Sequence, residues 1–237
     1  MPKTCRGPYP CAVSTHASPS LTERRKAATQ LEIAHAAMEL FATRGPQGTT
    51  AEEIARRAGI ALRTFYRYFR SKEDAVSPLL ANGGDRWRAL LEATEPGTPL
   101  PRALRSAVEQ ALLPPDEEAT QALLRTRGLL RAAAEDPALR AVWYRVNQES
   151  EERLVPVIAR LSGGHAEDLE VRLTAAAATD AIRIALETWA GTEAGVEGPG
   201  SPADLAVRCL RQFGHTAGSL GSGDEAPGNG SGDQGAR

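Results

Sequence analysis

The sequence is poor in cysteine and in aromatic residues. Its 237 residues include three cysteines and 5% aromatic residues, whereas alanine and leucine are abundant. Cys5 and Cys11 lie near the N-terminus and Cys209 lies far from both, so their number and spacing exclude a disulfide scaffold and a cysteine metal site. Because alanine and leucine lose little on entering a helix, and because no segment alternates as a strand does, we predict an all-α protein.

Long apolar runs are also missing. Even the alanine-rich run 175–186 contains Asp180 and Arg183, so no segment reaches the uninterrupted apolar length that crosses a bilayer. The N-terminus has no apolar stretch of the kind found in signal peptides. These absences predict a cytoplasmic protein without membrane contact.

Motifs of common catalytic sites are absent as well. The chain has no nucleophile elbow, no phosphate-binding glycine loop and no His-Glu-x-x-His pattern. Its four histidines are scattered, at His16, His35, His165 and His215. We therefore expect no enzymatic activity, no metal and no cofactor.

What the sequence does contain is an uneven distribution of charge. Residues 22–74 hold ten Lys/Arg against seven Asp/Glu, whereas residues 75–237 hold sixteen against twenty-three. A basic N-terminal segment joined to an acidic remainder is typical of a DNA-binding domain attached to one that does not touch DNA.

Helix-capping patterns divide the chain into predicted helices. Ser20-x-x-Glu23, Thr50-x-x-Glu53 and Ser71-x-x-Asp74 match the capping box or close variants of it, and Asp136-Pro137 places an N-cap before a proline. The predicted helices are 22–44, 51–58, 62–69, 72–93 (weakened near Pro78 and Gly83-Gly84), 99–113, 116–134, 137–161 (kinked at Pro156), 166–190 and 202–214. They imply a disordered leader 1–20, a helix-turn-helix DNA-binding domain 21–72, a helical-bundle ligand-binding and dimerisation domain 73–215, and a disordered tail 216–237.

Two short helices joined by a glycine turn predict a helix-turn-helix unit. Residues 51–58 are followed by Gly59-Ile60-Ala61 and then by 62–69, whose helix is expected to enter the major groove. Spacing predicts that Phe65 and Phe69 pack inward while the arginines and Tyr66 face a duplex. The candidate DNA-binding residues are Thr50, Leu62, Arg63, Thr64, Tyr66, Arg67, Tyr68 and Lys72. The alternative is that the aromatic rings are entirely core and that Arg56 and Arg57 form a solvated face.

A family resemblance rests on the stretch 49–73. It contains Thr-Thr, Ile-Ala-x-x-Ala-Gly, Thr-x-Tyr-x-Tyr-Phe and Ser-Lys-Glu, and is preceded by Leu40-Phe41-x-x-x-Gly45. This pattern resembles the signature of the tetracycline-repressor (TetR) family. The resemblance implies a homodimer that places two recognition helices on a palindromic operator and represses transcription until a small molecule binds. Two positions depart from the pattern: Ala61 stands where a capping residue is usual, and Pro46 where an aromatic residue is common.

The C-terminal helices predict the dimer interface. Helix 166–190 is apolar on more than one face, so it must be covered on both sides, and helix 202–214 is its natural neighbour. Two such helices from each subunit would form a four-helix interface.

An effector would bind among the helices from about residue 85 to 185, in a mostly apolar pocket. The candidate ligand-binding residues are Trp87, Arg127, Trp143, Asn147, Asp180 and Arg183. The stretch 123–189 is similar to the C-terminal domain of mycofactocin-regulator-like proteins, which implies that an acyl-CoA is one possible effector class. The helix beginning at Ser71 is the expected lever between effector and DNA. The alternative function is a protein-interaction module that keeps the dimer but has lost operator binding.

Overall fold

The computed structural model describes residues 20–95, 97–163 and 167–221, with side chains as far as residue 212. The described residues form α-helices and no strand, which confirms the predicted fold class. The helices are α1 (Leu21–Arg44), α2 (Ala51–Arg57), α3 (Leu62–Tyr68), α4 (Ser77–Glu92), α5 (Leu100–Leu112), α6 (Glu117–Glu135), α7 (Pro137–Leu161), α8 (Asp168–Ala190) and α9 (Pro202–Gly221).

Side-chain caps fix the starts of α1, α2 and α7 as the sequence predicts. Ser20 and Glu23 form a full capping box at α1, and Thr50 and Glu53 form another at α2. Asp136 caps α7, because its Oδ1 accepts the backbone N–H groups of residues 138 and 139. α7 then continues through Pro156 to Leu161.

The start of α4 differs from the prediction. The Ser71 hydroxyl accepts the Asp74 N–H as expected, but the chain then makes a single 3-10 turn, Asp74–Val76, and α4 begins only at Ser77. Pro78 lies in the first turn of α4, where its missing N–H costs nothing, rather than inside a helix that had begun earlier. A short turn therefore separates α3 from α4.

The other end of the chain differs too. α9 extends past residue 214 to Gly221, so residues 216–221 of the predicted tail have helical backbone. The predicted leader up to residue 19 and the tail from residue 222 lie outside the described residues.

One continuous core joins the N-terminal and C-terminal helices. α1 packs against α2, α4 and α6, while α4, α7, α8 and α9 pack in succession against one another. The core runs from Phe41, Ile54 and Phe65 at one end to Trp87 and Trp189 at the other. Within the described part of the chain, no helix has both the length and the apolar character that a membrane span requires.

Candidate DNA-binding surface and ligand cavity

The turn between α2 and α3 depends on Gly59. Its φ of 67° lies in the left-handed region, which a residue with a Cβ adopts only with strain. Ile60 then donates its N–H to the Ala55 carbonyl at 2.9 Å, which closes the turn against α2. α3 is thereby held across α2 as in other helix-turn-helix units.

α3 buries one face and exposes the other. Phe65 is fully buried and Phe69 nearly so, with ring centroids 5.7 Å apart. Tyr66 is 55% exposed, and Arg63 and Arg67 are exposed beside it. The predicted orientation of α3 is confirmed, and the alternative that all its rings are core is wrong for Tyr66.

The exposed arginines of α3 carry charge that no carboxylate of the described residues neutralises. Neither Arg63 nor Arg67 forms an ion pair within the described residues; the Arg67 guanidinium lies 5.0 Å from the centre of the Tyr68 ring. Arg57, in contrast, is paired with Glu39 at 2.6 Å. The outer face of α3 therefore presents positive charge to solvent.

The remaining candidates flank this face. Leu62, Thr64 and Tyr68 are half-buried, and Thr50 is exposed at the start of α2. The Thr50 hydroxyl and N–H both bond to Glu53, and these hydrogen bonds hold the pKa of the Glu53 carboxyl below its ordinary value.

Lys72 was predicted to bind DNA, but its side chain is held by contacts within the protein. Its ammonium donates to the carbonyls of Pro46, at 2.6 Å, and Thr49, at 2.9 Å, and lies 3.7 Å from Glu73. It therefore ties the turn after α3 to the segment that leads into α2. Ala61 provides no side-chain cap for α3, as its sequence predicts.

A cavity of about 120 Å³ lies among α4, α5, α6, α7 and α8. Trp87 and Trp143 line it, together with Asn147, whose amide donates to the Trp143 carbonyl at 2.8 Å. Three of the six candidate ligand residues are thus brought together around one cavity.

The other three candidates lie away from this cavity. Arg127 stacks 3.8 Å from the centre of the Trp189 ring and donates to the carbonyl of Ala194, so it fastens the loop after α8. Arg183 pairs with Asp180 at 2.9 Å and with Glu187 at 3.0 Å along α8. Each mid-helix charge has a structural partner, which the sequence alone did not reveal.

Sequence reasoning missed most of the lining residues, among them Gly84, Ser150 and Thr179. A Cβ on Gly84 would lie 2.7 Å from the Ser150 Oγ, so glycine permits the close approach of α4 to α7 at the cavity. The pair Gly83-Gly84 inside a helical pattern was the available signal, since glycine is costly there without a packing reason. No sequence pattern of this kind predicts that Thr179 lines the cavity.

Charged residues connect the turn after α3 with the edge of the cavity. Asp74 accepts the Arg70 N–H at 3.2 Å and also pairs with Arg145 of α7. Arg145 pairs with Glu149 at 2.8 Å, which in turn lies 3.7 Å from Arg153. Glu149 and Arg153 line the cavity. We call Asp74, Arg145, Glu149 and Arg153 the ionic chain.

α8 carries a second exposed feature. Leu169 is 74% exposed, Leu173 is 66% exposed and Ile184 is 40% exposed. With Asp180 these residues follow one stripe of the helix, nearly opposite to the residues that face the cavity. We call Leu169, Leu173 and Ile184 the α8 stripe; it presents three large apolar side chains to solvent in this chain.

Comparison with known proteins is consistent with this architecture. Residues 33–76 match the family described as "Bacterial regulatory proteins, tetR family", and residues 98–197 match the "MftR C-terminal domain". The chain is 31% identical over 166 residues to a Mycobacterium tuberculosis protein named MftR, for the regulation of mycofactocin biosynthesis, covering 70% of this chain and 82% of that one. It is 29% identical over 162 residues to the HTH-type transcriptional regulator TcmR of Streptomyces glaucescens, covering 67% and 71%.

A solved structure has the same fold. Thermus thermophilus FadR, a TetR-family transcriptional repressor in complex with lauroyl-CoA, superposes with a TM-score of 0.50 at 24% identity, covering 85% of this chain and 99% of that one.

A helix-turn-helix unit with a cationic outer helix, joined to a helical bundle that encloses a cavity, defines a DNA-binding transcriptional regulator. The family is identified by two findings. The helix-turn-helix sequence matches the tetR family, and the chain is similar to MftR over most of both chains. The chain belongs to the TetR family of bacterial regulatory proteins, as the motif in residues 49–73 indicates.

Proposed function

We propose that the protein is a homodimeric repressor that binds a palindromic operator through α3 and leaves it when a small molecule enters the cavity. The observation that carries the proposal is the outer face of α3, where Tyr66 is exposed and where Arg63 and Arg67 have no ion-pair partner among the residues that the structure describes. An arginine can bond guanine bidentately in the major groove, and a tyrosine can contact phosphate or a thymine methyl.

Residues that flank α3 would hold it in register. Thr64 and Tyr68 would reach phosphate, Thr50 caps the start of α2, and Leu62 is the first residue of α3. Lys72 would act by fixing the turn after α3 through its backbone hydrogen bonds. In this proposal residues 21–72 form the DNA-binding domain and residues 73–215 the ligand-binding and dimerisation domain.

Dimerisation would occur through α8 and α9. These helices pack closely against each other, and the α8 stripe faces away from the core of its own chain. A two-fold axis beside α8 would bury the stripe against its copy and form the four-helix interface typical of such bundles. Asp180 lies on this face and is paired with Arg183, so it would enter the interface as a neutralised pair.

The ionic chain offers a route from effector to DNA. An effector that separates α4 from α7 would change the contacts of Glu149 and Arg153, and through Arg145 those of Asp74. Asp74 bonds the backbone at Arg70, directly after α3. A small shift of α7 would therefore rotate α3 and change the separation of the two recognition helices, which must be about 34–36 Å for a shared DNA face.

The effector would be largely apolar, because apolar side chains, among them Trp87 and Trp143, make up most of the cavity lining. The FadR structure holds an acyl-CoA. Here only the uncharged acyl group of such a molecule would suit the cavity, because the charged lining residues are already paired with one another. In this proposal the protein acts in the cytoplasm and catalyses no reaction.

Fluorescence anisotropy with labelled DNA from the chain's own upstream region tests operator binding. The control is a fragment of equal length and unrelated sequence, and the salt concentration is raised in steps. A repressor should prefer the upstream fragment and weaken steeply with salt, because phosphate contacts release counterions. Absence of binding to any fragment at low salt would favour the alternative, a dimeric protein-interaction module.

A further inference from the structure

Two buried polar groups of the cavity lack hydrogen-bond partners. The Trp87 side chain is 2% exposed and the Thr179 residue 5% exposed, and both line the cavity. The Trp87 Nε1 and the Thr179 Oγ1 find no partner among the described residues. Buried polar groups are nearly always paired in proteins, so two such groups at one cavity point to a ligand that completes them.

The other two tryptophans each donate a hydrogen bond from the indole N–H. The Trp143 Nε1 donates to Glu187 at 2.8 Å, and the Trp189 Nε1 donates to the Gly195 carbonyl at 2.9 Å. Since an indole N–H is only a donor, Trp87 requires an acceptor. A hydroxyl both donates and accepts, so Thr179 can donate to the same kind of group.

Charges at the cavity are already neutralised. Its charged lining residues are Asp85, Glu149 and Arg153, and Arg153 lies 3.4 Å from Asp85 and 3.7 Å from Glu149. An anionic ligand would find no unpaired cation there, and a cationic ligand would find no unpaired carboxylate. A charged group in the cavity would therefore lose its hydration without a new counterion.

We propose that the cavity binds an uncharged, largely apolar molecule whose carbonyl oxygen accepts hydrogen bonds from Trp87 and Thr179. A volume of about 120 Å³ suits a single ring, since an engineered apolar cavity of about 150 Å³ binds benzene. The proposed binding of this molecule is argued from the cavity alone. That its binding releases the protein from DNA rests on the proposed function.

Three probe molecules of similar shape distinguish a hydrogen-bond acceptor from an apolar group and from a charge. Cyclohexanone, methylenecyclohexane and cyclohexylammonium each carry one substituent on a six-membered ring: an acceptor, an apolar group or a charge. The readout is the set of three tryptophan indole N–H signals of the ¹⁵N-labelled full chain, assigned with the Trp87→Phe and Trp143→Phe variants. Cyclohexanone should move the Trp87 signal downfield and leave that of Trp189 in place. Methylenecyclohexane should bind roughly tenfold more weakly, because it offers no acceptor, and cyclohexylammonium should not bind.

A matched pair of variants tests the second donor. Thr179→Val keeps the shape but removes the unpaired hydroxyl, so it should raise the melting temperature and weaken cyclohexanone binding about fivefold. Thr126→Val is the control, because Thr126 also lines the cavity but its hydroxyl already donates to Ala122 at 3.1 Å. Cyclohexanone affinity should not change in that variant.

Equal affinity for the ketone and the alkene, absence of ketone binding, or unchanged ketone affinity in Thr179→Val would each overturn the proposal. Operator affinity, measured without probe, is independent of these signals. A protein that binds the ketone but no DNA would contradict the proposed function alone, and one that binds its operator but not the ketone would contradict only this inference.

Discussion

At the scale of single residues, the proposed DNA binding depends on which side chains of α3 are exposed and have no ion-pair partner. Phe65 is fully buried, and Tyr66, the next residue along the chain, is half-exposed. Arg63 and Arg67 share the outer face and lack the carboxylate partners that neutralise Arg44 and Arg57. The buried residues of α3 therefore carry stability, whereas the exposed ones are the proposed recognition residues, and substitutions can separate the two.

We predict that Arg63→Ala or Tyr66→Ala weakens operator binding by about 1–3 kcal/mol, the usual contribution of a direct contact to a base. Circular dichroism and the melting temperature should remain those of the wild type, because both side chains are exposed. Arg125→Ala is a control of equal charge on an exposed position of α6. Wild-type affinity in both α3 variants would remove these residues from the DNA-binding surface.

A second prediction concerns Asp136, which caps α7 and accepts a hydrogen bond from Gln47 at 2.7 Å. The backbone N–H of Leu139, with smaller contributions from Gln47, Ala138 and Lys72, holds the pKa of the Asp136 carboxyl below its ordinary value, although burial opposes the shift. Because the folded pKa lies below the unfolded one, the stabilisation is complete above the unfolded pKa of about 3.9. It is lost as the pH falls through the lower, folded pKa.

Asp136→Asn should therefore make the free energy of unfolding less dependent on pH below about pH 5. Denaturant titrations from neutral pH to the acid limit measure this dependence. Asp116→Asn, an exposed N-cap of α6, is the control and should change the acid dependence less. An unchanged acid dependence in Asp136→Asn would show that the carboxyl does not contribute.

At the scale of elements, α4 connects the helix-turn-helix unit with the helical bundle that contains the cavity. It follows the turn after α3, packs on α7 and contributes Trp87, Gly83 and Gly84 to the cavity. Its two adjacent glycines weaken the helix at the place where an effector would press on it. α4 is therefore the helix whose stiffness should control the response.

The two glycines are predicted to differ on substitution. Gly83→Ala meets no atom within 4 Å, so it should stabilise the protein by about 0.5–1 kcal/mol through better helix propensity. Gly84→Ala places a Cβ 2.7 Å from the Ser150 Oγ, so the side chain of Ser150 must move and the gain should be smaller. Thermal and chemical unfolding of both variants measures the difference. An equal gain in both would show that Ser150 adjusts at no cost.

Element positions were largely predictable from sequence, because caps are local. Ser20, Thr50 and Asp136 each bond to backbone within three residues, so their patterns fix helix starts without tertiary knowledge. The start of α4 was not predictable in this way, because Ser71 and Asp74 cap a 3-10 turn as readily as an α-helix.

The cavity could be predicted only in part. Aromatic residues such as Trp87 and Trp143 are large enough to be expected near any cavity of the bundle. Arg127 and Arg183 were assigned to it because a charge inside a helix needs a partner, yet their partners are the loop after α8 and Glu187. Thr179 lines the cavity only because of how α8 is rotated against α4 and α7, which no local pattern encodes.

At the scale of the whole molecule, α8 serves two surfaces. One side contributes Thr179, Ile182 and Leu186 to the cavity, and the other presents the α8 stripe. A dimer formed on the stripe would therefore lie one helix away from the bound effector. In the proposed dimer, this arrangement would let an effector in each subunit change how the two subunits pack against each other.

The dimer prediction is tested with Leu169→Glu and Leu173→Glu. Each buries a charge in the proposed interface, so each should shift the protein from dimer to monomer in sedimentation velocity. Leu124→Glu is the control, since Leu124 is an exposed leucine of α6 outside the stripe. A dimer that persists in both stripe variants would place the interface elsewhere.

Binding of a palindromic operator by two α3 helices is tested by hydroxyl-radical footprinting of the full chain on DNA selected from random fragments. Two α3 helices of a homodimer should protect two symmetric half-sites whose centres lie about one helical turn of DNA apart, or a multiple of it. At a protein concentration that just saturates the sites with wild type, the protection should be lost in large part with Tyr66→Ala while the protein stays folded. A single unsymmetric footprint, or full protection by the Tyr66→Ala variant, would contradict the account.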